Sequence, residues 1–270
     1  MDTAKMAYGI ALALLFGVAA SLKAQNLYVV DAGNGTIGEY GTDGSTINAS
    51  LFFEPDQPRG IAISGTDLFI ANYHGTIGEY GLDGSTVNST LISRHDPFFD
   101  IAISGTDLFA VDGTEAGTVS KYTTSGEPIN PSLISGAHYP YGIAVSGKDI
   151  FVTGVRGIGE YTTSGETVNA SLISGLNGPK GIAISGNYLF VTNFGNGTIG
   201  EYELDGSPVN TSLISGLDGP WGIAISGDDL FVANNGSGTI GEYTTSGAMV
   251  NPALISGLNH PTGIAIGPVR

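Results

Sequence analysis

The sequence of 270 residues has no cysteine and few basic residues, and each shortage excludes a class of protein. Without cysteine the chain forms no disulfide bonds, so a secreted form depends on a hydrophobic core for its stability. Nine Lys and Arg residues are outnumbered by 25 Asp and Glu residues, which gives a net charge of −16. Nucleic-acid binding requires a basic surface, because contacts to phosphate supply most of the affinity. We therefore expect no nucleic-acid partner.

Long hydrophobic runs are also scarce, and the longest lies at the start of the chain. Residues 6–20 are almost entirely apolar, follow Lys5 and precede small residues up to Ala24. This run is shorter than the roughly 20 residues that a membrane-spanning helix needs. The pattern predicts a secretory signal peptide over residues 1–24, with a single membrane anchor as the alternative. We expect residues 25–270 to form one domain, secreted to the periplasm or outside the cell, with no membrane insertion after cleavage.

Internal repetition is the most prominent feature that the sequence does have. Residues 222–243 read GIAISGDDLFVANNGSGTIGEY. Close copies begin at Gly181, Gly142 and Gly60, and a more divergent copy begins at Asp100. The period of about 41 residues is typical of proteins that repeat one structural unit. The chain ends on GIAIGPVR, a further opening of the repeat, and its missing continuation begins at Asn26.

Each repeat contains four short runs of the type that forms β-strands, which read GIAI, LFVAN, TIGEY and MVNPALIS in the last full copy. The runs are rich in Val, Ile, Phe and Tyr and are separated by turn residues. Each run occurs six times when the two chain ends are counted together. A ring explains this division, because the C-terminal strand then pairs with the three N-terminal strands and leaves no long unpaired edge. The sequence predicts an all-β fold, a six-bladed β-propeller with four antiparallel strands per blade.

The repeated phrase P-x-G-I-A-[IV]-S-G-x-D-L-F-V-A-N, followed by G-T-I-G-E-Y, resembles the NHL repeat and, more broadly, the propellers grouped with gluconolactonase. The resemblance covers nearly all of the chain after residue 26. It implies the same six-bladed propeller. It does not select a function, because similar propellers include lactone hydrolases, lyases, protein-binding modules and RNA-binding modules.

The repeats differ mainly on one face of the predicted propeller. Turns such as SGTD and SGKD, between the first and second strands, hardly vary and belong to the opposite face. The loops before the first strand and after the second strand carry different side chains in each repeat, through neutral variation or because they bind a ligand. Loops on a rigid frame often carry binding residues. The predicted ligand-binding residues are Arg59, Tyr73, His74, Phe98, Phe99, Asp100, Tyr141, Arg156, Lys180, Phe194, Trp221 and Thr262.

Basic side chains are concentrated on the same variable face. Arg59, Arg94, Arg156 and Lys180 belong to it, as do all four histidines of this acidic chain. Together with the aromatic residues they favour a small anionic or carbohydrate ligand, because aromatic rings offer contact area and basic groups offer charge-assisted hydrogen bonds. A protein or peptide is the alternative partner. We expect a monomer that acts as a binding module.

An enzymatic alternative depends on two carboxylates of the divergent repeat. Asp100 replaces the Gly that begins the other copies, and Asp112 follows in the same repeat. The resemblance to gluconolactonase implies that such side chains can bind a divalent cation, calcium or zinc, near the channel. The alternative function is therefore a metal-dependent hydrolase or lyase with Asp100 and Asp112 as candidate ligands. Our first expectation is no cofactor, because Asp and Asn recur at the end of the second strand, where they bond the following turn.

Overall fold

The computed structural model describes residues 25–269, and the predicted signal peptide, residues 1–24, lies outside them. The described residues form six four-stranded antiparallel sheets, which confirms the predicted propeller. No helix in this part of the chain is long and apolar enough to cross a lipid bilayer. We number the blades in chain order and call the strand of each blade that faces the central channel its inner strand.

The strands follow one another along the chain blade by blade. Blade 1 contains β1 (Gln25–Asp31), β2 (Thr36–Gly41), β3 (Thr46–Phe53) and the C-terminal inner strand β24 (Pro261–Pro268). Blade 2 contains β4 (Pro58–Ser64), β5 (Asp67–Asn72), β6 (Thr76–Gly81) and β7 (Thr86–Ser93). Blade 3 contains β8 (Phe98–Ser104), β9 (Asp107–Asp112), β10 (Thr118–Thr123) and β11 (Pro128–Ser135).

The second half of the ring repeats this order. Blade 4 contains β12 (Pro140–Ser146), β13 (Asp149–Gly154), β14 (Gly157–Thr162) and β15 (Thr167–Ile173). Blade 5 contains β16 (Pro179–Ser185), β17 (Tyr188–Asn193), β18 (Thr198–Glu203) and β19 (Pro208–Ser215). Blade 6 contains β20 (Pro220–Ser226), β21 (Asp229–Asn234), β22 (Thr239–Thr244) and β23 (Met249–Ile255).

The ring closes through the pairing of the two chain ends in blade 1. Strand β24 runs antiparallel to β1, with Leu27 opposite Ile266 and Val29 opposite Ile264. The inner strand of each blade packs against the inner strands of both neighbouring blades, and β24 contacts both β20 and β4. The N-terminal and C-terminal strands therefore complete one sheet, as the division of the repeat between the chain ends predicts.

The core lies between neighbouring blades, and the second strand of each blade supplies most of it. These strands are buried on both faces, which explains why runs such as LFIA and LFVA contain only apolar residues. The fully buried rings at one repeat position are Tyr28, Phe69, Phe109, Phe151, Phe190 and Phe231. Each such side chain stabilises the fold by about 1.5–3 kcal/mol relative to its exposure to water. Packing between blades therefore holds the ring together.

A glycine near the start of five inner strands lets these strands approach one another closely. A methyl group on Gly142 would overlap the carbonyl oxygen of Lys180, and one on Gly222 would overlap the carbonyl oxygen of Thr262. The hydroxyl of Thr153 spans the same junction, since it accepts from the Gly142 amide at 2.8 Å and donates to the Lys180 carbonyl oxygen at 2.6 Å. The first residues of the inner strands are thereby held close to the channel axis.

Candidate ligand-binding site

The second residue of every inner strand lies at one mouth of the central channel. These six residues are Arg59, Phe99, Tyr141, Lys180, Trp221 and Thr262. They enclose a cavity of about 110 Å³ above a ring of isoleucines from the same strands. We call the face of the propeller on which this cavity opens the rim face, and the cavity the mouth pocket. The sequence predicts all six residues as ligand-binding, and the structure brings them together. Thr262, however, is fully buried, and its hydroxyl donates to the Arg59 carbonyl oxygen at 2.8 Å.

Aromatic rings form a nearly continuous wall on one side of the mouth pocket. Phe99 contacts Tyr141 with ring centroids 5.3 Å apart, and Tyr141 faces Trp221 at 6.5 Å, both edge to face. Two rim loops extend this wall, because Tyr73 contacts Phe99 at 5.6 Å and Phe194 contacts Trp221 at 5.6 Å. The wall offers a rigid surface with little conformational freedom to lose when a ligand binds.

Two cationic side chains lie against this wall. The Lys180 ammonium is 3.0 Å from the centroid of the Tyr141 ring and 4.8 Å from that of Trp221. The Arg59 guanidinium is 5.6 Å from the Tyr73 centroid and 5.8 Å from the Trp221 centroid. Aromatic faces attract cations, which offsets part of the cost of removing these charges from water.

Neither cation has a carboxylate partner within residues 25–269. The Nε atom of Arg59 is buried and has no hydrogen-bond acceptor in this part of the chain. Burial, with a smaller contribution from the Arg59 charge, lowers the pKa of Lys180 to about 8. The mouth pocket therefore concentrates uncompensated positive charge inside an acidic protein.

Asp100 is the one acidic residue among those that line the mouth pocket. Its Oδ1 atom accepts a hydrogen bond from the Ile101 amide at 2.9 Å, and Oδ2 accepts one from the Ile143 amide of the next blade at 3.2 Å. Desolvation of the carboxyl group raises the pKa of Asp100 to about 7, although the two backbone amides oppose this shift. Asp100 thus connects blades 3 and 4 rather than pairing with Arg59 or Lys180.

Asp112 belongs to a separate network, between blades 2 and 3. Its carboxylate accepts from the Thr114 hydroxyl at 2.7 Å and from the Thr118 hydroxyl and amide, and the Arg94 guanidinium lies 3.9 Å away. The two candidate metal ligands therefore have different partners. Within residues 25–269 no three His, Asp or Glu side chains are grouped so that they could hold a metal ion. The alternative divalent-cation site at Asp100 and Asp112 gains no support from this geometry.

The structure corrects the expectation for Phe98. This residue is fully buried in the core between blades 2 and 3, where it occupies the repeat position of a proline in the other five inner strands. It is buried because the first residue of the inner strand packs between the two blades, and its neighbour Phe99 takes the channel-facing position. His74 and Arg156 lie exposed in rim loops outside the mouth pocket.

A second depression, which the sequence analysis did not single out, adjoins the mouth pocket. It has a volume of about 470 Å³ and shares Arg59 and Trp221 with the mouth pocket. We call it the blade 1 groove, because the loops of blade 1 form most of it, with Phe53 and Gln57 among its lining residues. The sequence does contain a signal for this groove, because Phe53 stands where the other five copies of the repeat have Ser.

Comparisons with known proteins support the fold but no family. No family model matches the sequence, and no curated protein is a significant match. The chain resembles a structure from a nidogen–laminin complex (TM-score 0.78, 16% identity, 90% of this chain and 98% of that chain). It also resembles a gluconolactonase from Xanthomonas campestris (TM-score 0.64, 14% identity, 78% of this chain and 83% of that chain).

A third similar structure is that of a functionally unknown protein from Desulfotomaculum acetoxidans (TM-score 0.63, 17% identity, 91% of this chain and 99% of that chain). At such identities the likeness shows a shared propeller fold and nothing about the site. A propeller fold serves many functions, so the function has to be argued from the residues of the mouth pocket.

Proposed function

We propose that this protein is a secreted binding module that captures the anionic group of a ligand in the mouth pocket. The observation that carries the proposal is the pair of cations, Arg59 and Lys180, held against aromatic rings without a carboxylate partner in the described residues. Half-buried charges without a partner cost free energy in the free protein. An anion that pairs with both offsets this cost, which gives the pocket a preference for negative charge.

The size of the mouth pocket limits what enters it. A cavity of about 150 Å³ holds one benzene molecule in a well-studied engineered protein, and the mouth pocket measures about 110 Å³. The pocket therefore accommodates only the end of a ligand, such as a carboxylate or phosphate group together with part of the ring that carries it. The rest of the ligand lies outside it, so a small acid, an acidic sugar or an acidic side chain of a protein partner fits this proposal.

A calorimetric titration of the purified protein tests the proposal. The probes are glucuronic acid, inorganic phosphate and sulfate, with glucose as the neutral control. We expect at least one anion to bind and glucose not to bind. The variants Arg59→Gln and Lys180→Gln should each weaken anion binding by about tenfold or more, since a hydrogen bond to a charged group contributes about 1.5–3 kcal/mol.

Lys148→Gln is the matched control, because Lys148 is exposed in a turn on the opposite face. This variant should bind anions as the unmodified protein does. Equal loss of affinity in the Lys148 variant would mean that the overall charge, not the mouth pocket, determines binding. Failure of all three anions to bind would overturn the proposal.

The enzymatic alternative has one supporting observation, the shared fold with a gluconolactonase. It requires a cation held by Asp100 and other donors, and both Asp100 oxygens accept backbone hydrogen bonds. Elemental analysis of the protein before and after chelation tests it. One tightly held calcium or zinc per chain, absent from an Asp100→Ala variant, would favour the hydrolase or lyase. A metal content that this variant retains would count against Asp100 as a ligand.

A further inference from the structure

The blade 1 groove leads from the mouth pocket across the rim face of blade 1. At its inner end it shares Arg59 and Trp221 with the mouth pocket, so the two cavities adjoin at these side chains. The groove is more than four times larger, at about 470 Å³ against about 110 Å³. A ligand that fills both is therefore a chain of several units rather than a single small acid.

The strongest sign of a role for the groove is an exposed aromatic ring. Phe53 ends the outer strand of blade 1 with 64% of its surface exposed, and its ring lies beside Gly35 of the neighbouring loop. The equivalent residues in the other blades are all serines: Ser93, Ser135, Ser174, Ser215 and Ser256. The fold therefore does not need an aromatic side chain at this position. The exposed ring gives the groove a flat apolar surface that a ligand can contact.

Two residues that line the groove have a left-handed backbone. Gln57 and His260 have φ of 58° and 54°, in the region that disfavours residues other than glycine. Two other blades have glycines at this repeat position, Gly178 and Gly219, with φ of 62° and 63°, and blade 4 has Tyr139 there, outside the groove, with φ of 47°. Glycine meets the backbone requirement at lower cost. The strain therefore belongs to the repeat position, and its effect in blade 1 is that the Gln57 and His260 side chains lie in the groove lining.

Amide and imidazole side chains line much of the groove. The Gln57 side-chain amide and the His260 imidazole are exposed and make no hydrogen bond within residues 25–269, and Asn235 uses one N–H of its amide on the Pro261 carbonyl oxygen at 3.2 Å. These groups both donate and accept hydrogen bonds. The only carboxylate in the lining, Glu54, is buried and bonded to the Tyr80 hydroxyl. The groove thus offers hydrogen-bonding groups beside aromatic rings.

We propose that the blade 1 groove binds the neutral sugars of an oligosaccharide whose terminal acidic group occupies the mouth pocket. The proposal rests on the proposed function and adds the class of ligand. Sugar hydroxyls both donate and accept, which matches amide and imidazole groups, and the flat rings of Phe53 and Trp221 suit the apolar face of a sugar ring. One common mode of peptide binding adds a strand to an exposed sheet edge. The groove is lined mainly by loops, so it does not offer such an edge.

The test uses the fluorescence of Trp221, the only tryptophan of the chain, which lines both cavities. The probes are glucuronic acid, xylotriose that carries a terminal glucuronic acid, neutral xylotetraose, and a tetrapeptide with one terminal aspartate. We expect the acidic oligosaccharide to bind about tenfold more tightly than glucuronic acid, which corresponds to about 1.4 kcal/mol. Neutral xylotetraose should bind more weakly than either.

Two variants take their residues from other blades, so the fold already accommodates both changes. Phe53→Ser should remove most of the tenfold advantage of the oligosaccharide and leave the affinity for glucuronic acid unchanged. Gln57→Gly should raise the Tm, because it relieves the left-handed backbone, and still weaken oligosaccharide binding by about two- to fivefold, as expected for one lost hydrogen bond. Tyr188→Ser, which removes a ring 40% exposed on the opposite face, is the control and should change neither affinity.

The outcomes separate this inference from the proposed function. If glucuronic acid binds but the oligosaccharide gains nothing, or keeps its gain in Phe53→Ser, the groove is not a sugar site and the anion site stands. If the tetrapeptide gains affinity that Phe53→Ser removes, the groove binds peptides and the proposal is wrong. If no small anion binds, the proposed function itself fails.

Discussion

The two faces of the propeller have the same number of connections per blade, but the residues in these connections vary more from blade to blade on one face than on the other. On the face opposite the mouth pocket, each blade has a glycine with φ between 84° and 93° in the turn before its outer strand. At Gly44, for example, a methyl group would lie 2.7 Å from the Leu254 carbonyl oxygen of the adjacent blade. Packing between blades fixes these residues, so the six copies agree.

On the rim face, the backbone repeats and the side chains do not. The second residue of the inner strand is Arg, Phe, Tyr, Lys, Trp or Thr in a nearly constant backbone setting. Thr262 has a packing role, because it is fully buried and its hydroxyl donates to the Arg59 carbonyl oxygen at 2.8 Å, but the other five side chains are partly exposed and differ from blade to blade. Internal repetition therefore distinguishes two kinds of position. At some the fold determines the residue, and at others the side chain can vary and is free to bind a ligand.

Adjacent residues of β20 give the largest expected contrast between the two kinds of position. Gly222→Ala should lower the free energy of unfolding by about 3 kcal/mol, because the methyl group overlaps the Thr262 carbonyl oxygen of the next inner strand. Trp221→Thr introduces the residue that blade 1 has at the same position, so it should cost about 1 kcal/mol or less. Urea unfolding of both variants measures the difference. Similar losses for the two would break the distinction between determined and free positions.

Much of the fold could be predicted from the sequence, because the number of repeats gives the number of blades and each repeat contains four strand-like runs. Six copies of each run and the division of one repeat between the chain ends were sufficient for the closed ring. The mouth pocket was also predictable, since residues at one repeat position of a ring face one another. The orientation of the Asp100 side chain could not be predicted from the sequence. Its carboxylate accepts a hydrogen bond from the Ile143 amide of a different blade, and the sequence does not indicate that these two groups lie close together.

Three phenylalanines show which features of the site the sequence does not reveal. Phe98 and Phe99 are identical neighbours, yet alternation along β8 buries the first completely and turns the second to the channel. Phe53 ends an outer strand whose apolar residues resemble core, so its 64% exposure had to come from the structure. All three residues have the same side chain. Their roles differ because each side chain points in a different direction from its strand.

The second prediction concerns the charge of the rim face at high pH. Because the pKa of Lys180 is lowered to about 8, its ammonium is present at pH 7 and mostly lost at pH 9.5. Anion affinity should therefore fall by about tenfold between these values. Lys180→Arg should remove most of this dependence, since a guanidinium stays charged throughout. Calorimetric titrations at both pH values measure it. An equal decline in the Arg variant would assign the pH dependence to another group.

The third prediction uses Asp100, the residue of the mouth pocket that also holds blades together. Its pKa is raised from the ordinary value of 3.8 to about 7, so the folded state keeps a proton that the unfolded state has lost between these values. The contribution of Asp100 to stability must therefore fall as pH rises through this window and stay low above it. Water in the channel screens part of the effect, because Asp100 is partly exposed.

Asp100→Asn removes this titration while it keeps an oxygen that accepts hydrogen bonds. We expect the variant to be more stable than the unmodified protein at pH 8 and no more stable at pH 5, measured by urea unfolding. The comparison between the two proteins cancels the other acidic groups of the chain. A constant difference at both pH values would show that Asp100 ionises normally.

The smallest expected effect lies at the outer limit of the mouth pocket. Phe194 is 38% exposed, 5.8 Å from the Lys180 ammonium by its ring centroid, and 5.6 Å from the Trp221 ring. Blade 6 has Asn235 in the equivalent loop position, so Phe194→Asn should change the free energy of unfolding by less than about 0.5 kcal/mol. Loss of one exposed cation–π partner should weaken anion binding by about two- to fivefold. Tyr188→Asn, equally exposed on the opposite face, should leave the affinity unchanged, and a matching loss there would end the functional distinction between the faces.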